Sequence, residues 1–147
     1  MKLLFTELIQ SESELVILAS KVRQAISINS NILLVGDLAA GKTTFVANFC
    51  KLFDITVVQS PTYSLHQRYS KENMVIDHFD LYRLETEDEV QASGFFDLLN
   101  NAADYKFIEW PDRVQISDFP LNNSLYQIVI KIKDKEARQF ELFEFIK

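Results

Sequence analysis

The stretch Gly36-Asp-Leu-Ala-Ala-Gly-Lys-Thr-Thr44 decides the fold. Its spacing, G-x-x-x-x-G-K-[ST], is that of a phosphate-binding P-loop. In such a loop the glycines let the backbone curl until its N–H groups point inward at phosphate oxygens. Here those groups belong to Asp37, Leu38, Ala39, Ala40, Gly41, Lys42, Thr43 and Thr44. Lys42 would reach the β and γ phosphates, and the Thr43 hydroxyl would ligate Mg2+. The helix that follows would turn its positive N-terminal end toward the anion. Both flanks agree. Asn31-Ile-Leu-Leu-Val35 is a short apolar run that reads as a buried strand, and Phe45, Phe49 and Leu52 recur at helical spacing. The plainer reading, an ordinary strand-to-helix turn with a surface lysine, requires neither flank.

The remaining composition narrows the class. A chain of 147 residues suits one domain, here 1–147, and is long enough to bury its own core. Its hydrophobic share of 48% and charged share of 24% are those of a soluble globular protein. The formal net charge is −6. A protein whose own field draws nucleic acid is usually basic, so direct, tight binding of RNA or DNA is disfavoured. The single cysteine, Cys50, has no internal partner, which fits a reducing cytoplasm and a buried packing role. The opening Met-Lys-Leu-Leu-Phe is broken by Thr6 and Glu7, and no run reaches the length of a membrane span.

Along the chain, Lys2 to Ile9 alternates loosely and reads as an edge strand. Ser11 and Glu14 have the spacing of a capping box, and residues 12–27 read as an amphipathic helix. Ile55 to Val58 reads as a second strand, and Tyr63 to Tyr69 as another leading into a polar turn at Ser70 to Asn73. Met74-Val-Ile76 is apolar and ends in Asp77-His-Phe-Asp80. Thr86 to Glu89 resembles a capped helix start. Phe95 to Leu99 reads as a short helix or turn, and Tyr105 to Ile108 as a strand closed by Glu109-Trp110-Pro111. Ser124 to Lys133 and Arg138 to Ile146 read as a terminal antiparallel hairpin. The expected architecture is an α/β P-loop NTPase domain, a mixed central sheet flanked by helices with a C-terminal hairpin.

A P-loop works with a further carboxylate for Mg2+, usually at the end of a buried strand. Asp77, Asp80 and Glu109 are the three candidates, and spacing leaves the choice among them open. Thr62, after Pro61, is a candidate for contact with the γ-phosphate or the attacking water; the plainer reading is a turn threonine. His78 reads as a strand histidine with a structural hydrogen bond, catalysis being the alternative. Trp110 reads equally as a cover for the nucleotide, a docking residue or core packing.

Four segments in order resemble the bacterial TsaE (YjeE) family of P-loop ATPases. They are Gly36 to Thr44, Ser60-Pro-Thr-Tyr63, His78-Phe-Asp-Leu-Tyr-Arg83 and Ile108-Glu-Trp-Pro111. Any one alone is weak; the combination is specific and spans Gly36 to Pro111. The resemblance implies ATP and Mg2+ as cofactors. It implies a role in threonylcarbamoyl modification of the adenosine beside the anticodon in tRNA. It also implies action on a heterodimer of TsaD and TsaB, slow hydrolysis by the isolated chain, and contact with tRNA only through that complex. By position, Thr62, Asp80 and Glu109 would be catalytic, and Thr43, Glu109 and Asp80 would associate with the metal. Trp110 would lie next to the site. Glu12, with Lys135 or Arg138, would flank the adenine. The chain departs from the family at Ala39, where glycine is usual, which bears on the loop backbone if that position needs φ > 0.

Two other readings compete. A small-molecule kinase would need an acceptor pocket and an arginine-bearing lid. Residues 84–103 hold no arginine, leaving Arg68, Arg83 and Arg113 as phosphate clamps. A nucleotide-binding regulator would bind ATP without useful hydrolysis. A GTPase lacks support because no Asn-Lys-x-Asp segment is present. With three glycines in all, the chain cannot hold an ABC signature besides its P-loop.

Overall fold

The computed structural model describes residues 1–146. Seven strands form one sheet: β1 (Lys2–Ile9), β2 (Ser30–Val35), β3 (His66–Lys71), β4 (Met74–Asp80), β5 (Tyr105–Glu109), β6 (Ser124–Ile132) and β7 (Arg138–Glu144). Their order is β1-β7-β6-β2-β5-β4-β3. The inner strands β6, β2, β5 and β4 run parallel, and β7, β1 and β3 attach to them by antiparallel pairing. The mixed sheet and the terminal hairpin are as the sequence predicts. The structure bears the same α/β class.

β2 sits between β6 and β5 and is apolar at four consecutive positions, Ile32 to Val35, because both of its faces are covered. Ile32 and Leu34 point into a cluster with helices α1 (Leu15–Ala25) and α2 (Lys42–Lys51), where Phe45, Phe49 and Phe107 meet. Leu33 points the other way, into a cluster with α3 (Glu87–Ala92) and α4 (Phe95–Leu99), built on Phe79, Phe95 and Ile108. The period of two along a strand thus sorts side chains into two layers.

Several local expectations change. Ile55 to Val58 is not a strand; Ile55 is buried but Val57 is 73% exposed, and the segment crosses toward β3 without pairing. The helix expected over 12–27 begins as a 3-10 turn at Glu12–Glu14 and becomes α-helical over Leu15–Ala25. Its capping box does not form. Ser11 shares a hydrogen bond with Ser13, and Glu14 reaches back to the N–H of Gln10 rather than Ser11. β3 starts at His66, later than expected, and runs through Lys71, so its hairpin turn shortens to Glu72 and Asn73. The cap at Thr86 does form, its hydroxyl accepting from Glu89 N–H at 3.1 Å.

On the α4 face, the fully buried carboxylate of Asp77 accepts from Arg68 Nε and Nη2 at 2.8 and 2.9 Å, and from His66 Nε2 at 2.8 Å. Burial alone pushes this carboxyl up. Together the His66 and Arg68 hydrogen bonds and the guanidinium charge outweigh burial and hold it below the usual carboxylate range. A depressed folded pKa stabilises the fold above the unfolded value of about 3.9, and that contribution is lost as pH falls through the folded value. Arg68→Met is expected to cost about 2 kcal/mol at neutral pH, on the low side because the guanidinium is 39% exposed and screened. It should also flatten the acid-side fall in stability. Thermal melts across a pH series measure both, and a variant with wild-type stability at neutral pH would refute the role.

Candidate active site

The P-loop leaves the carboxyl end of β2 and runs into α2. At Gly36 an added Cβ would stand 3.0 Å from the Ile130 carbonyl oxygen and 3.1 Å from the Ala40 Cβ, so the loop passes β6 only as glycine. Gly41 turns the chain into α2 at φ 107, where a side chain is strained. Ala39 adopts φ 63 as well. The position where the family favours glycine therefore does require the left-handed region, and alanine holds it at a cost. Ala39→Gly is expected to stabilise the chain by about 1 kcal/mol, or roughly 2–4 °C in Tm. An unchanged or lowered Tm would mean that the strain is relieved elsewhere.

Lys42 is buried. Its Nζ donates to the carbonyls of Gly36 and Asp37 at 2.5 and 3.0 Å and lies 4.4 Å from the centre of the Trp110 ring. Trp110 itself adopts φ 57 and ψ 54 ahead of Pro111, a conformation rare outside glycine and asparagine. This turn swings the indole over the loop, against the Tyr82 ring at 5.0 Å.

Strand register assembles the acids. Asp80 and Glu109 are register partners at the carboxyl ends of β4 and β5, beside the end of β2. Glu109 Oε2 accepts from the Thr43 hydroxyl at 2.8 Å, and Asp80 Oδ2 accepts from the Thr62 hydroxyl at 2.7 Å. Asp80 Oδ1 accepts from Tyr82 N–H at 2.9 Å, which fixes its carboxylate. Thr43, Thr62, Asp80, Glu109, Trp110 and the P-loop line one cavity of about 310 Å³. Asp77, the third candidate, is excluded from it, since its position in β4 faces α4 and its oxygens are engaged by Arg68 and His66. Arg68 is thereby removed as a phosphate clamp, and Arg113 is committed to the Leu84 carbonyl and Asp112.

A second cavity, about 440 Å³, opens on the other side of the loop between α1 and the β6–β7 turn. Glu12, Lys135 and Arg138 line it with Ile9, Leu15 and Phe140, and Ala39, Ala40, Gly41 and Thr44 line both cavities. Arg138 Nε also donates to the Ala40 carbonyl at 3.2 Å, tying the hairpin to the P-loop. Leu38 is exposed at the loop's tip, and Asp37 contributes its carbonyl to Lys42. Sequence reasoning missed Tyr82 as a wall of the site. Its signal was its place two residues beyond Asp80, at the same strand end.

The donor set suits magnesium. A threonine hydroxyl and one or two carboxylates beside a phosphate site are what this ion takes, its remaining positions going to water and phosphate oxygens. Among the described residues no cluster of three or more His, Cys, Asp or Glu side chains is arranged to hold a metal by itself.

The fold and this site define a P-loop α/β domain with two threonine–carboxylate pairs at the loop's mouth. The sequence profile of the family described as "Threonylcarbamoyl adenosine biosynthesis protein TsaE" matches residues 9–140, and the chain belongs to that family. Its relatives include the "tRNA threonylcarbamoyladenosine biosynthesis protein TsaE" of Rickettsia conorii, 38% identical over 109 residues; that match covers 73% of this chain and 61% of the relative. The protein of the same description from Aquifex aeolicus is 30% identical over 146 residues, covering 97% of this chain and 98% of the relative. The crystal structure of Bacillus subtilus YdiB superposes with a TM-score of 0.68 at 24% identity, covering 94% of this chain and 83% of that one. It has the same fold. Among the described residues no helix is long and apolar enough to cross a membrane.

Proposed function

We propose that the chain binds ATP with Mg2+ and hydrolyses it in the cytoplasm, in service of the threonylcarbamoyl modification of the adenosine beside the tRNA anticodon, acting on a TsaD–TsaB heterodimer. The observation that carries this reading is the convergence of the Thr43–Glu109 and Thr62–Asp80 pairs on one P-loop cavity. Two cavities sharing the loop as a common wall support an elongated ligand. Its base would lie between Glu12 and Lys135, and its phosphates on the Trp110 side.

In this reading Lys42 leaves its loop carbonyls for the β and γ phosphates, and the amides of residues 37–44 hold the remaining oxygens. Thr43, Glu109 and Asp80 would hold a magnesium ion, which when bound neutralises charge between the two phosphates. The Thr62 hydroxyl donates to Asp80, accepts from the Ser60 hydroxyl at 2.7 Å, and retains one lone pair to hold the attacking water in line. Lys42 is the one cationic side chain among the described residues lining the phosphate cavity. With no second cation to meet the growing charge, slow turnover alone and dependence on a partner are expected. The commitment of Arg68 and Arg113 elsewhere weakens the kinase reading.

The test is mass spectrometry of tRNA nucleosides from cells depleted of the chain and rescued with wild type or Lys42→Ala. The expected result is loss of threonylcarbamoyladenosine on depletion and its return with wild type alone. Return with both would leave the chain in the pathway as a regulator without hydrolysis. No loss on depletion would overturn the reading.

A further inference from the structure

A line of buried groups runs behind the phosphate cavity, from the P-loop to the segment that carries Thr62. Glu109 Oε2, which accepts from Thr43, also lies 2.5 Å from His78 Nε2. His78 is wholly buried, and Glu109 is 4% exposed. On the far side of the imidazole, Nδ1 stands 3.5 Å from the Tyr69 hydroxyl. That hydroxyl donates to the Gln59 carbonyl at 2.6 Å and accepts from the Gln59 N–H at 3.2 Å. Gln59 leads into Ser60-Pro61-Thr62, and Thr62 returns to Asp80, two residues after His78 on β4.

A buried strand histidine is usually a satisfied core residue. This one differs in what it touches. Its Nε2 neighbour is the carboxylate that shares an oxygen with the P-loop threonine. Both of those bonds fall on Oε2, and among the described residues Oε1 of Glu109 accepts no hydrogen bond. A glutamate carboxylate sits on three rotatable bonds, so a donor that fixes Oε2 also decides where Oε1 points.

We infer that His78 is a positioning residue. It donates to Glu109 and so presents the remaining carboxylate oxygen to the P-loop cavity. The inference rests on the proposed reading that this cavity takes a Mg2+–nucleotide. Partners that orient a ligating carboxylate in this way commonly govern metal affinity by 10- to 100-fold.

The test is calorimetric titration of the purified full chain with a non-hydrolysable ATP analogue, in Mg2+ and in EDTA. The quantity read is the gain in affinity that Mg2+ confers. His78→Asn keeps a polar group on the Tyr69 side and offers Glu109 nothing; it is expected to lose about tenfold of that gain with affinity in EDTA unchanged. His78→Gln returns an N–H near the Nε2 position and is expected to restore most of it. Thermal melts of both variants establish that they fold. A full Mg2+ gain in His78→Asn, an equal loss with and without Mg2+, or no recovery in His78→Gln would each overturn the inference. A wild-type chain with no affinity in either buffer would instead refute the proposed function, so the two failures are separable.

Discussion

Purified Lys42→Ala is expected to release phosphate from ATP about 10²- to 10³-fold more slowly than wild type, the loss typical of removing one preorganised group from a developing charge. The argument is electrostatic. The P-loop cavity sets two carboxylates, Asp80 and Glu109, against a single ammonium. Burial pulls the Lys42 pKa below its ordinary value, while Glu109, Asp80 and Asp37 oppose that pull. An ammonium partly stripped of water and fixed by two carbonyls interacts with phosphate more strongly than a solvated surface lysine does. Removing it leaves the acids unbalanced, so affinity for ATP should fall along with turnover. Wild-type phosphate release by Lys42→Ala would take the P-loop out of the chemistry.

Phe49→Ala is expected to lower the free energy of unfolding by about 4 kcal/mol. That is a large fraction of the 5–15 kcal/mol typical of a whole domain. Phe49 is fully buried on α2, its ring 5.0 Å from both Tyr105 and Phe107 and 5.7 Å from Phe53. Two of these contacts are edge-to-face pairs that add to the area buried. Rings from α2 and β5 interlock, so little nearby can relax into the space. Urea unfolding should show a lower midpoint with unchanged slope. A loss below about 1 kcal/mol would mean that the aromatic cluster collapses around the gap.

Both predictions rest on parts of the chain that sequence conveys well. A P-loop is local: strand, turn and helix lie within about twenty residues, and each leaves its own period. Thr86, Glu89 and the alternation of β6 are local in the same sense. What escaped was decided at a distance. Ile55 to Val58 has the composition of a strand, yet it pairs with none: β4 is already paired on both sides, by β5 and β3, and the segment does not extend the outer edge of β3. The capping box failed because Glu14 found the Gln10 amide, a choice made by backbone geometry and not by spacing. Among the acids, Asp80 and Glu109 were separated from Asp77 by register and by the position of Arg68 on a neighbouring strand. The resemblance named Thr62, Asp80 and Glu109 together. Only the fold shows that their contacts pair Thr62 with Asp80 and Thr43 with Glu109.

The order of strands in the sheet also governs the order of events during synthesis. β2, which launches the P-loop, is flanked by β5 and β6, and the loop's Ala40 is tied to Arg138 beyond them. These partners are separated from β2 by long stretches of sequence, which makes closing the sheet slow relative to forming α1 or α2. A growing chain would carry its whole Gly36–Thr44 signature well before either neighbour of β2 had been translated. Until then the signature has no walls around it. A polypeptide halted short of Ser124 would hold every residue that lines the P-loop cavity and lack the Lys135, Arg138 and Phe140 wall of the second one, exposing the apolar flank of β2 instead.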